Sequence, residues 1–441
     1  MIVGGTVRVP GDKSLTHRAL LLGALARGTS TIHGALTSLD ARSTARVLRR
    51  LGVGVSPLRA GRPVRVEGRG RLRPPEGRLD CGNSGTTARL LLGMLAAHPF
   101  EATLTGDASL RARPMRRVTL PLGRMGARFD ELAGRDGLPL RVRGGRLIPL
   151  RYEMPVSSAQ IKSALFLAGV AGGVAVAVRE PHGRSRDHTE RLLRAFGYPV
   201  AERDGWIALE PSGRIEPFEM RVPGDPSSAA FLVAAALLAE SGSLRIAGVG
   251  LNPTRTGFLD VLRRMGAAVT VENEQVHFGE PVGDLVVGPA RLRATTVEAV
   301  EVPGLIDEIP VLAVVASRAE GTTVFREVGE LRVKESDRLS LIAANLRALG
   351  ARAEVVGDDL VVEGGEAPPR GLARTAGDHR LAMAFAVLGT LPGARVRVDD
   401  PACAAVSFPG FAATLRAARA APGARGRGRG PGVVPGRVGN P

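Results

Sequence analysis

One structural plan recurs six times along this chain of 441 residues, with a repeat length of about 70 residues. In each copy a polar turn rich in Gly or Ser leads into an apolar stretch of helical length, a glycine and a short β-branched strand. A basic amphipathic helix, a second glycine and an alternating hairpin pattern follow, as in TARVLRRLGVGV and FLDVLRRMGAAV. Because the hydrophobic period alternates between helical and extended, each copy predicts a β-α-β-α-β-β unit. The copies open at Gly11, Gly82, Ser157, Gly224, Asp307 and Gly377.

Six such units predict an α/β protein of two pseudo-threefold domains, each built from three β-α-β-α-β-β repeats. Gly/Pro turns near Gly11 and Pro223–Gly224 are the expected crossings, which assigns residues 12–222 to an N-terminal domain. Residues 1–11 and 223–420 then form a C-terminal domain, and the strand at residues 6–10 is expected to complete the sixth unit. Solenoid stacking is the alternative, but each unit carries its own helices and hairpin and is larger than common solenoid repeats.

The composition restricts the class of protein. Hydrophobic residues make up 44% and charged residues 23% of the chain, as in globular proteins, and no apolar run reaches the ~18 residues that suggest a membrane span. The N-terminus lacks a signal-peptide pattern. Cys81 and Cys403 are the only cysteines, so neither a disulfide framework nor a zinc site is indicated, and a cytoplasmic location is expected.

The net charge of +17 favours anionic ligands. Residues 421–441 are low-complexity Gly, Arg and Pro, and they are predicted to be a disordered tail without a function. An RNA-binding protein that uses this tail is the alternative, but Trp206 is the only Trp and base-stacking side chains are scarce. We expect no nucleic-acid or membrane partner.

Lysine is almost absent, and its three positions are informative. Only Lys13, Lys162 and Lys334 are Lys, against 57 Arg. An ammonium group is a compact, titratable point charge, whereas guanidinium is a planar fork that keeps its proton. Positions that retain Lys in so biased a chain are therefore predicted to need the compact head. Chance retention is the alternative, and it is strongest for Lys162.

The six helix starts are candidate anion sites. The first turn of a helix has unpaired N–H groups and a partial positive charge, and small residues let an anion approach closely. Ordinary N-capping is the alternative for any single start. The run GDKSLTHRA lacks the spacing of a P-loop, GVGLNP lacks the third Gly of a dinucleotide fingerprint, and no HExxH or GxSxG occurs.

Nine stretches, in the same order over about residues 4–416, resemble the 5-enolpyruvylshikimate-3-phosphate synthase (3-phosphoshikimate 1-carboxyvinyltransferase) family of enolpyruvyl transferases. They are PGDKSLTHRA, LDCGNSGTTARLL, LTGDASLRARPM, SSAQIKSAL, SRDHTERLL, GDPSSAAF, LIDEIPVLAVVA, LRVKESDRL and GDHRLAMAF. The resemblance implies the inverted α/β barrel of this family, with two domains that close on a cleft. It also implies transfer of the enolpyruvyl group of phosphoenolpyruvate to the 5-hydroxyl of 3-phosphoshikimate, with release of phosphate. No metal or other cofactor is implied, and a monomer is expected.

The resemblance also implies the roles of individual residues. Asp307 is the implied proton acceptor for the 5-hydroxyl, Glu335 handles the methylene proton, and Lys13 is the third catalytic residue. The residues implied to contact shikimate 3-phosphate are Lys13, Ser14, Arg18, Ser158, Ala159, Gln160, Arg186, Asp307 and Lys334. Those implied to contact phosphoenolpyruvate are Lys13, Gly85, Arg113, Gln160, Arg338 and Arg380. Asn83 and His379 are further candidates for substrate contacts.

The chain also departs from the family pattern. Val406 stands where some members carry a Lys before Ser407-Phe408-Pro409, so a phosphate contact from that Lys is missing. Gly85 is Gly where glyphosate-tolerant members often carry Ala, which predicts inhibition by glyphosate in competition with phosphoenolpyruvate. The sister family, UDP-N-acetylglucosamine enolpyruvyl transferase, is a rival interpretation. It expects Lys-Asn in the first motif, where this chain has Lys13-Ser14, and a loop Cys that GDASLRARP lacks.

Overall fold

The computed structural model of the chain describes residues 1–181 and 183–419. The predicted tail at residues 421–441 lies outside the described residues. The helices are α1 (Lys13–Leu25), α2 (Leu39–Arg50), α3 (Gly85–Ala96), α4 (Ala108–Ala112), α5 (Arg116–Arg124), α6 (Ala159–Gly172), α7 (His188–Ala195), α8 (Pro226–Leu237), α9 (Gly257–Arg264), α10 (Ile309–Ala316), α11 (Arg338–Ala348), α12 (His379–Leu388) and α13 (Phe411–Ala417). Short 3₁₀ helices occur at Val302–Gly304, Gly329–Val333 and Pro401–Val406.

The strands are short, and most belong to four-stranded sheets. They are β1 (Ile2–Val3), β2 (Thr6–Val7), β3 (Arg27–His33), β4 (Gly54–Val55), β5 (Val64–Arg69), β6 (Leu79–Asp80), β7 (Glu101–Thr105), β8 (Arg128–Glu131), β9 (Leu140–Arg143), β10 (Leu150–Glu153), β11 (Val176–Arg179), β12 (Val200–Arg203), β13 (Trp206–Leu209), β14 (Glu219–Arg221), β15 (Ser241–Gly242), β16 (Leu244–Gly250), β17 (Val269–His277), β18 (Glu280–Val287), β19 (Thr296–Val297), β20 (Thr322–Phe325), β21 (Arg352–Val356), β22 (Asp359–Glu363), β23 (Arg370–Ala373) and β24 (Arg395–Val398).

The sheets show the predicted repeat. Their strand orders are β14-β3-β5-β4, β6-β7-β9-β8, β10-β11-β13-β12, β2-β16-β18-β17 and β19-β20-β22-β21, and β23 pairs with β24. In the second sheet, β6 and β7 are parallel and are joined through α3. After α5 the chain forms β8 and β9, which pair antiparallel with each other, and β9 also pairs antiparallel with β7. A parallel pair needs a crossover helix and an antiparallel pair needs only a turn, so this order is the β-α-β-α-β-β unit.

One strand assignment from the sequence was wrong. The N-terminal strand does not complete the sixth unit: Thr6–Val7 pairs in parallel with Arg245–Ile246 of the fourth unit. The fourth unit has no strand of its own in that place, because the preceding strand, β14, pairs with β3 of the first unit. Each chain crossing thus supplies the missing first strand of a distant unit.

The two crossings lie side by side. The backbone N–H of Asp12 donates to the carbonyl of Pro223 at 2.8 Å, and the N–H of Asp225 donates to that of Pro10 at 2.8 Å. Gly11 fits here because a Cβ at this position would overlap the carbonyl oxygen of Gly34. The two connections therefore form one hydrogen-bonded link.

Two hydrophobic cores stabilise the fold. One is built from residues between Leu15 and Val222, and the other from residues 3–9 and 229–418. All residues of α8 and α10 are buried, which suits helices that are apolar on every side. We refer to residues 12–222 as the N-terminal half and to residues 1–11 and 223–419 as the C-terminal half. The cores support the predicted domain division, whose boundaries stay a prediction.

No helix in the described ranges 1–181 and 183–419 has the length and apolar character required to cross a membrane.

Candidate active site

A cleft with a free volume of about 200 Å³ lies between the two halves. The N-terminal half supplies the starts of α1, α3 and α6, and the C-terminal half supplies residues 302–307 and 330–335 and the start of α12. Its cationic side chains are Lys13, Arg18, Arg89, Arg113, Arg117, Arg186, Lys334 and Arg380. Its acidic side chains are Asp40, Asp307, Glu330 and Glu335. Cations thus outnumber acids, as a site for anions requires.

Most of the predicted site residues meet at this cleft. Those that line it are Lys13, Ser14, Arg18, Asn83, Gly85, Arg113, Ser158, Ala159, Gln160, Arg186, Asp307, Lys334, Glu335 and Arg380. Arg338 and His379 are not among the lining residues and lie in the buried layer next to them. Their direct contact with a substrate stays a prediction.

Helix caps fix the starts that form the cleft wall. Asp12 accepts from the N–H of Leu15 at 2.7 Å, and Ser84 accepts from the N–H of Thr87 at 3.1 Å. On α6, Ser158 makes no side-chain capping bond and lines the cleft instead. Capping and an exposed anion-binding face therefore coexist in this wall.

Arg18 is buried and held by neutral groups. Its Nε donates to Thr189 Oγ1 at 2.7 Å, one terminal nitrogen donates to Ser163 Oγ at 2.6 Å, and the other donates to the Ser14 carbonyl at 3.0 Å. Burial, which outweighs the attraction of Glu190, lowers the pKa of Arg18 to about 10. No carboxylate makes a salt bridge with this guanidinium in the described residues, so its charge acts on the cleft.

Gln160 has a fixed orientation. Its side-chain oxygen accepts from Arg89 at 2.6 Å, so its amide nitrogen is free to donate, and it donates to Thr86 Oγ1 at 3.1 Å. Arg89 also donates to the Pro114 carbonyl at 3.1 Å, next to Arg113. Burial and neighbouring guanidinium groups lower the pKa of Arg89 to about 9.

Arg113 and Asn83 form a second ordered pair. Arg113 donates to the Asn83 side-chain oxygen at 2.8 Å, and the Asn83 nitrogen donates to Asp107 at 2.7 Å. Arg113 also lies 3.9 Å from Glu335, across the cleft in the other half.

Asp307 lies at the centre of a cluster of arginines. Arg186 of the N-terminal half donates to one of its oxygens, Arg338 lies 3.4 Å from the other, and Arg380 lies 3.5 Å away. Burial alone would raise the pKa of Asp307. The charges of Arg380, Arg186, Lys334 and Arg338 outweigh it and hold this pKa well below its usual value. Asp307 is therefore ionised.

Glu335 is paired in the same way. Arg338 contacts it at 2.6 Å and also binds the helix cap Asp378 at 2.7 Å. Burial acts to raise the pKa of Glu335, but the charges of Arg338 and Arg113 outweigh it, so the pKa lies well below the usual value. Arg338 therefore positions both candidate proton-transfer groups.

His379 is buried, and neither ring nitrogen has a hydrogen-bond partner in the described residues. Burial, followed by the charge of Lys13, lowers its pKa to about 4, which makes it a neutral imidazole at neutral pH.

The sequence did not single out four charged residues of the cleft: Asp40, Arg89, Arg117 and Glu330. Asp40 pairs with Lys13 Nζ at 3.3 Å, and Glu330 pairs with Lys334 Nζ at 3.3 Å. Helical spacing could have found Arg89, because it lies four residues after Gly85 and shares its helix face.

Known proteins resemble this chain over most of its length. The family model described as EPSP synthase (3-phosphoshikimate 1-carboxyvinyltransferase) matches residues 2–415. The chain belongs to the EPSP synthase family. The predictions of family, fold class and an enzymatic, transferase activity are confirmed. Of the two enolpyruvyl transferase families considered, the match favours the first.

Individual relatives agree with this family. The 3-phosphoshikimate 1-carboxyvinyltransferase of Granulibacter bethesdensis is 49% identical over 420 residues, which cover 93% of this chain and 92% of that protein. That of Desulforudis audaxviator is 47% identical over 417 residues, covering 94% and 97%. The structure of EPSP synthase from Acinetobacter baumannii aligns with a TM-score of 0.84 at 39% identity, covering 95% of this chain and 96% of the other. The enolpyruvyl transferase NikO from Streptomyces tendae, at 19% identity and a TM-score of 0.74 over 95% of each chain, shares the fold.

Proposed function

We propose that this EPSP synthase family member transfers the enolpyruvyl group of phosphoenolpyruvate to the 5-hydroxyl of 3-phosphoshikimate and releases phosphate. The observation that carries the proposal is the cleft itself, in which arginines and lysines from both halves surround Asp307 and Glu335. The family and its curated relatives supply the identity of the two substrates.

The charge of the cleft suits this pair of substrates. Together they bring two phosphates and two carboxylates into one enclosed space, which is favourable only against fixed positive groups. Hydrogen bonds to charged groups contribute about 1.5–3 kcal/mol each. On the shikimate 3-phosphate side we place Lys13, Ser14, Arg18, Ser158, Ala159, Gln160, Arg186 and Lys334. On the phosphoenolpyruvate side we place Lys13, Gly85, Arg113, Gln160 and Arg380, with Asn83 orienting Arg113.

Asp307 is proposed to accept the proton of the 5-hydroxyl as its oxygen attacks the enol carbon. With three guanidinium partners, Asp307 is ionised but weakly basic. Substrate phosphate and carboxylate groups compete for the same arginines, so their binding raises the pKa of Asp307 toward its ordinary value. The base thus becomes stronger when the substrates are in place.

Glu335 is proposed to exchange the proton of the methylene carbon. Substrate anions draw Arg338 and Arg113 from Glu335 and raise its pKa, so that Glu335 gives a proton to the methylene as the tetrahedral adduct forms. The same carboxylate takes a proton back from that carbon as phosphate departs and the enolpyruvyl ether appears. The ionised carboxylate suits the removal step. The family resemblance implies no metal or organic cofactor for either step, and this stays a prediction.

The location and assembly state are part of the proposal. Both cysteines are free thiols, which fits the reducing conditions of the cytoplasm. A monomer is the proposed assembly state, as expected from the resemblance.

Phosphate release from phosphoenolpyruvate, measured with and without 3-phosphoshikimate, tests the proposal. We expect release only when 3-phosphoshikimate is present, with the enolpyruvyl ether formed in equal amount. UDP-N-acetylglucosamine serves as the competing acceptor. Turnover with that acceptor and none with 3-phosphoshikimate would overturn the assignment.

A further inference from the structure

Lys162 is the one lysine that the cleft does not use. It lies in α6, two residues after Gln160, and its side chain is fully buried. Lys13 and Lys334 line the cleft, whereas Lys162 does not. A buried ammonium in a chain that otherwise prefers Arg needs a local physical reason.

Three oxygens surround the ammonium of Lys162. Its Nζ lies 2.8 Å from Glu190 and 2.9 Å from Glu180, and it donates to the carbonyl of Ser185 at 3.3 Å. The same Glu180 oxygen accepts from the N–H of Ser185 at 3.2 Å. The backbone of Ser185 is therefore held at both its N–H and its carbonyl.

These contacts bracket the segment that carries Arg186. Glu180 directly follows β11, Glu190 lies in the first turn of α7, and Ser185 directly precedes Arg186. One ammonium thus connects α6, the end of a strand and the start of the next helix. The guanidinium of Arg186 leaves this clamped segment and reaches Asp307 in the other half.

The shape of the site explains why Lys is retained. The ammonium has three donors on one compact atom, and here two carboxylates and one backbone carbonyl lie within 3.3 Å of it. A guanidinium is larger and planar, so we expect it to fit this fully buried position only if the surrounding groups move. Burial acts to lower the pKa of Lys162, but Glu190 and Glu180 outweigh it and raise the pKa, so the group is charged.

We infer that Lys162 is a positioning residue that fixes the backbone of Ser185 and thereby holds Arg186 in place to bind shikimate 3-phosphate. This inference rests on the proposed function, in which Arg186 contacts shikimate 3-phosphate. The reacting atoms are not touched by Lys162, so its removal acts on binding of that substrate before it acts on chemistry.

The first test is a steady-state comparison of Lys162→Met with the native enzyme. We expect KM for 3-phosphoshikimate to rise roughly tenfold to 100-fold, as for a misplaced binding group, with a change below about threefold in KM for phosphoenolpyruvate. Arg203→Met removes one positive charge from a side chain that is 91% exposed, and it should leave both constants unchanged. Equal rises in both KM values for Lys162→Met would overturn the inference.

A double-mutant cycle separates positioning from general damage. If Lys162 acts through Arg186, Lys162→Met should have a much smaller effect on KM for 3-phosphoshikimate in an Arg186→Ala background. The same fold-change in both backgrounds would overturn the inference. If Arg186→Ala itself leaves this KM unchanged, or the native enzyme fails to use 3-phosphoshikimate, the proposed function is at fault instead.

Removing Lys162 leaves two buried carboxylates without their cation, so folding needs its own control. The double variant Lys162→Met/Glu190→Gln removes one of these charges and is judged by the same KM criterion. Lys162→Arg keeps the charge but changes its shape, and we expect a folded enzyme with a raised KM for 3-phosphoshikimate. Native kinetics for Lys162→Arg would show that the compact head is not required.

Discussion

At the scale of single residues, the site is dominated by carboxylates that are held ionised by arginines. Asp307 contacts Arg186 from one half and Arg338 and Arg380 from the other. A carboxylate in this position both joins the two halves and stands ready as a base. These two roles lead to different expectations when its charge is removed.

We expect Asp307→Asn to lower kcat by about 10²–10⁴-fold, the range of a positioned acid or base, while the protein stays folded. The amide keeps the shape of the side chain but cannot take up the proton. Asp359→Asn, which removes a carboxylate that pairs with Arg326 away from the cleft, is the matched control. Phosphate release and circular dichroism measure the two properties. A folded Asp307→Asn enzyme with near-native kcat would remove Asp307 as the base.

Gly85 sits where a methyl group would narrow the phosphoenolpyruvate side of the cleft. A Cβ added there would lie 3.3 Å from a terminal nitrogen of Arg89 and 3.4 Å from one of Arg113. Both neighbours are the ends of flexible side chains, so the substitution is sterically tolerable.

For the native enzyme we expect inhibition by glyphosate, competitive with phosphoenolpyruvate. For Gly85→Ala we expect the inhibition constant for glyphosate to rise by roughly tenfold or more. The KM for phosphoenolpyruvate should rise by a smaller factor, because glyphosate is the longer molecule and is affected more by the narrower cleft. Inhibition constants at several phosphoenolpyruvate concentrations measure both effects. Native turnover that persists at millimolar glyphosate would contradict the first expectation.

Much of the site could be predicted from local motifs, because these motifs lie at or just before the starts of helices, with Lys13, Gly85 and Gln160 in a first turn and Asp307 and Glu335 two or three positions before a helix. The missed residues depend on tertiary structure. Asp40 reaches Lys13 from 27 positions along the chain, and nothing in its local sequence indicates that contact. The placement of Arg338 behind Glu335 is likewise set by packing.

At the scale of elements, α3 and α6 pack closely against each other. Gly93 lies at this contact, and a Cβ there would overlap the carbonyl group of Ala164. Gly123 in α5 has nothing within 4 Å of an added Cβ. The two glycines thus differ in surroundings while sharing a helical environment.

We expect Gly93→Ala to destabilise the protein by about 3 kcal/mol or more, because two packed helices must separate. Gly123→Ala should stabilise it by about 0.5–1 kcal/mol, because Ala loses less backbone freedom in a helix. Urea unfolding of the two variants beside the native protein measures both changes. Equal effects of the two substitutions would show that the contact between α3 and α6 is not limiting.

The elements themselves were predictable where the pattern was long. The hydrophobic pattern extends over two or more helical turns in these elements. Examples are the fully apolar helices α8 and α10 and the amphipathic helix α9. The pairing of β2 with the fourth unit and of β14 with the first unit was not predictable, because strands of two or three residues carry no register of their own. Their partners are decided by the sheet edges that the rest of the fold leaves open.

At the scale of the whole molecule, each half contains a buried histidine at a helix start. Burial, followed by the charge of Lys13, lowers the pKa of His17 to about 3 and that of His379 to about 4. The unfolded chain binds these protons near pH 6.5, whereas the folded protein does not. Folding stability is therefore lost as the pH falls from about 6.5 toward 4, before most carboxylates titrate.

The free energy of unfolding, measured in urea between pH 7.5 and pH 4.5, checks this expectation. We expect the free energy of unfolding to decline over this range. The decline should be shallower for His379→Gln, because glutamine at this position does not titrate. A profile that is flat down to pH 4.5 would contradict the neutral, buried state of these histidines.

We expect that deletion of residues 422–441 leaves kcat and both KM values within about twofold of native, since every residue lining the cleft lies between positions 13 and 380. The same phosphate-release assay measures it. Loss of turnover in the truncated protein would give the Gly/Arg-rich segment a role in catalysis.

The paired connections at Pro10–Asp12 and Pro223–Asp225 have a mechanical consequence. Because each strand of this link is hydrogen-bonded to the other, sliding or twisting the halves would break both bonds, whereas rotation about the line through Gly11 and Gly224 breaks neither. We therefore expect this link to be the axis of any rotation between the halves. In such a rotation Lys13, next to the link, is expected to move little, whereas Arg113 and Glu335, which lie 3.9 Å apart across the cleft, are expected to separate.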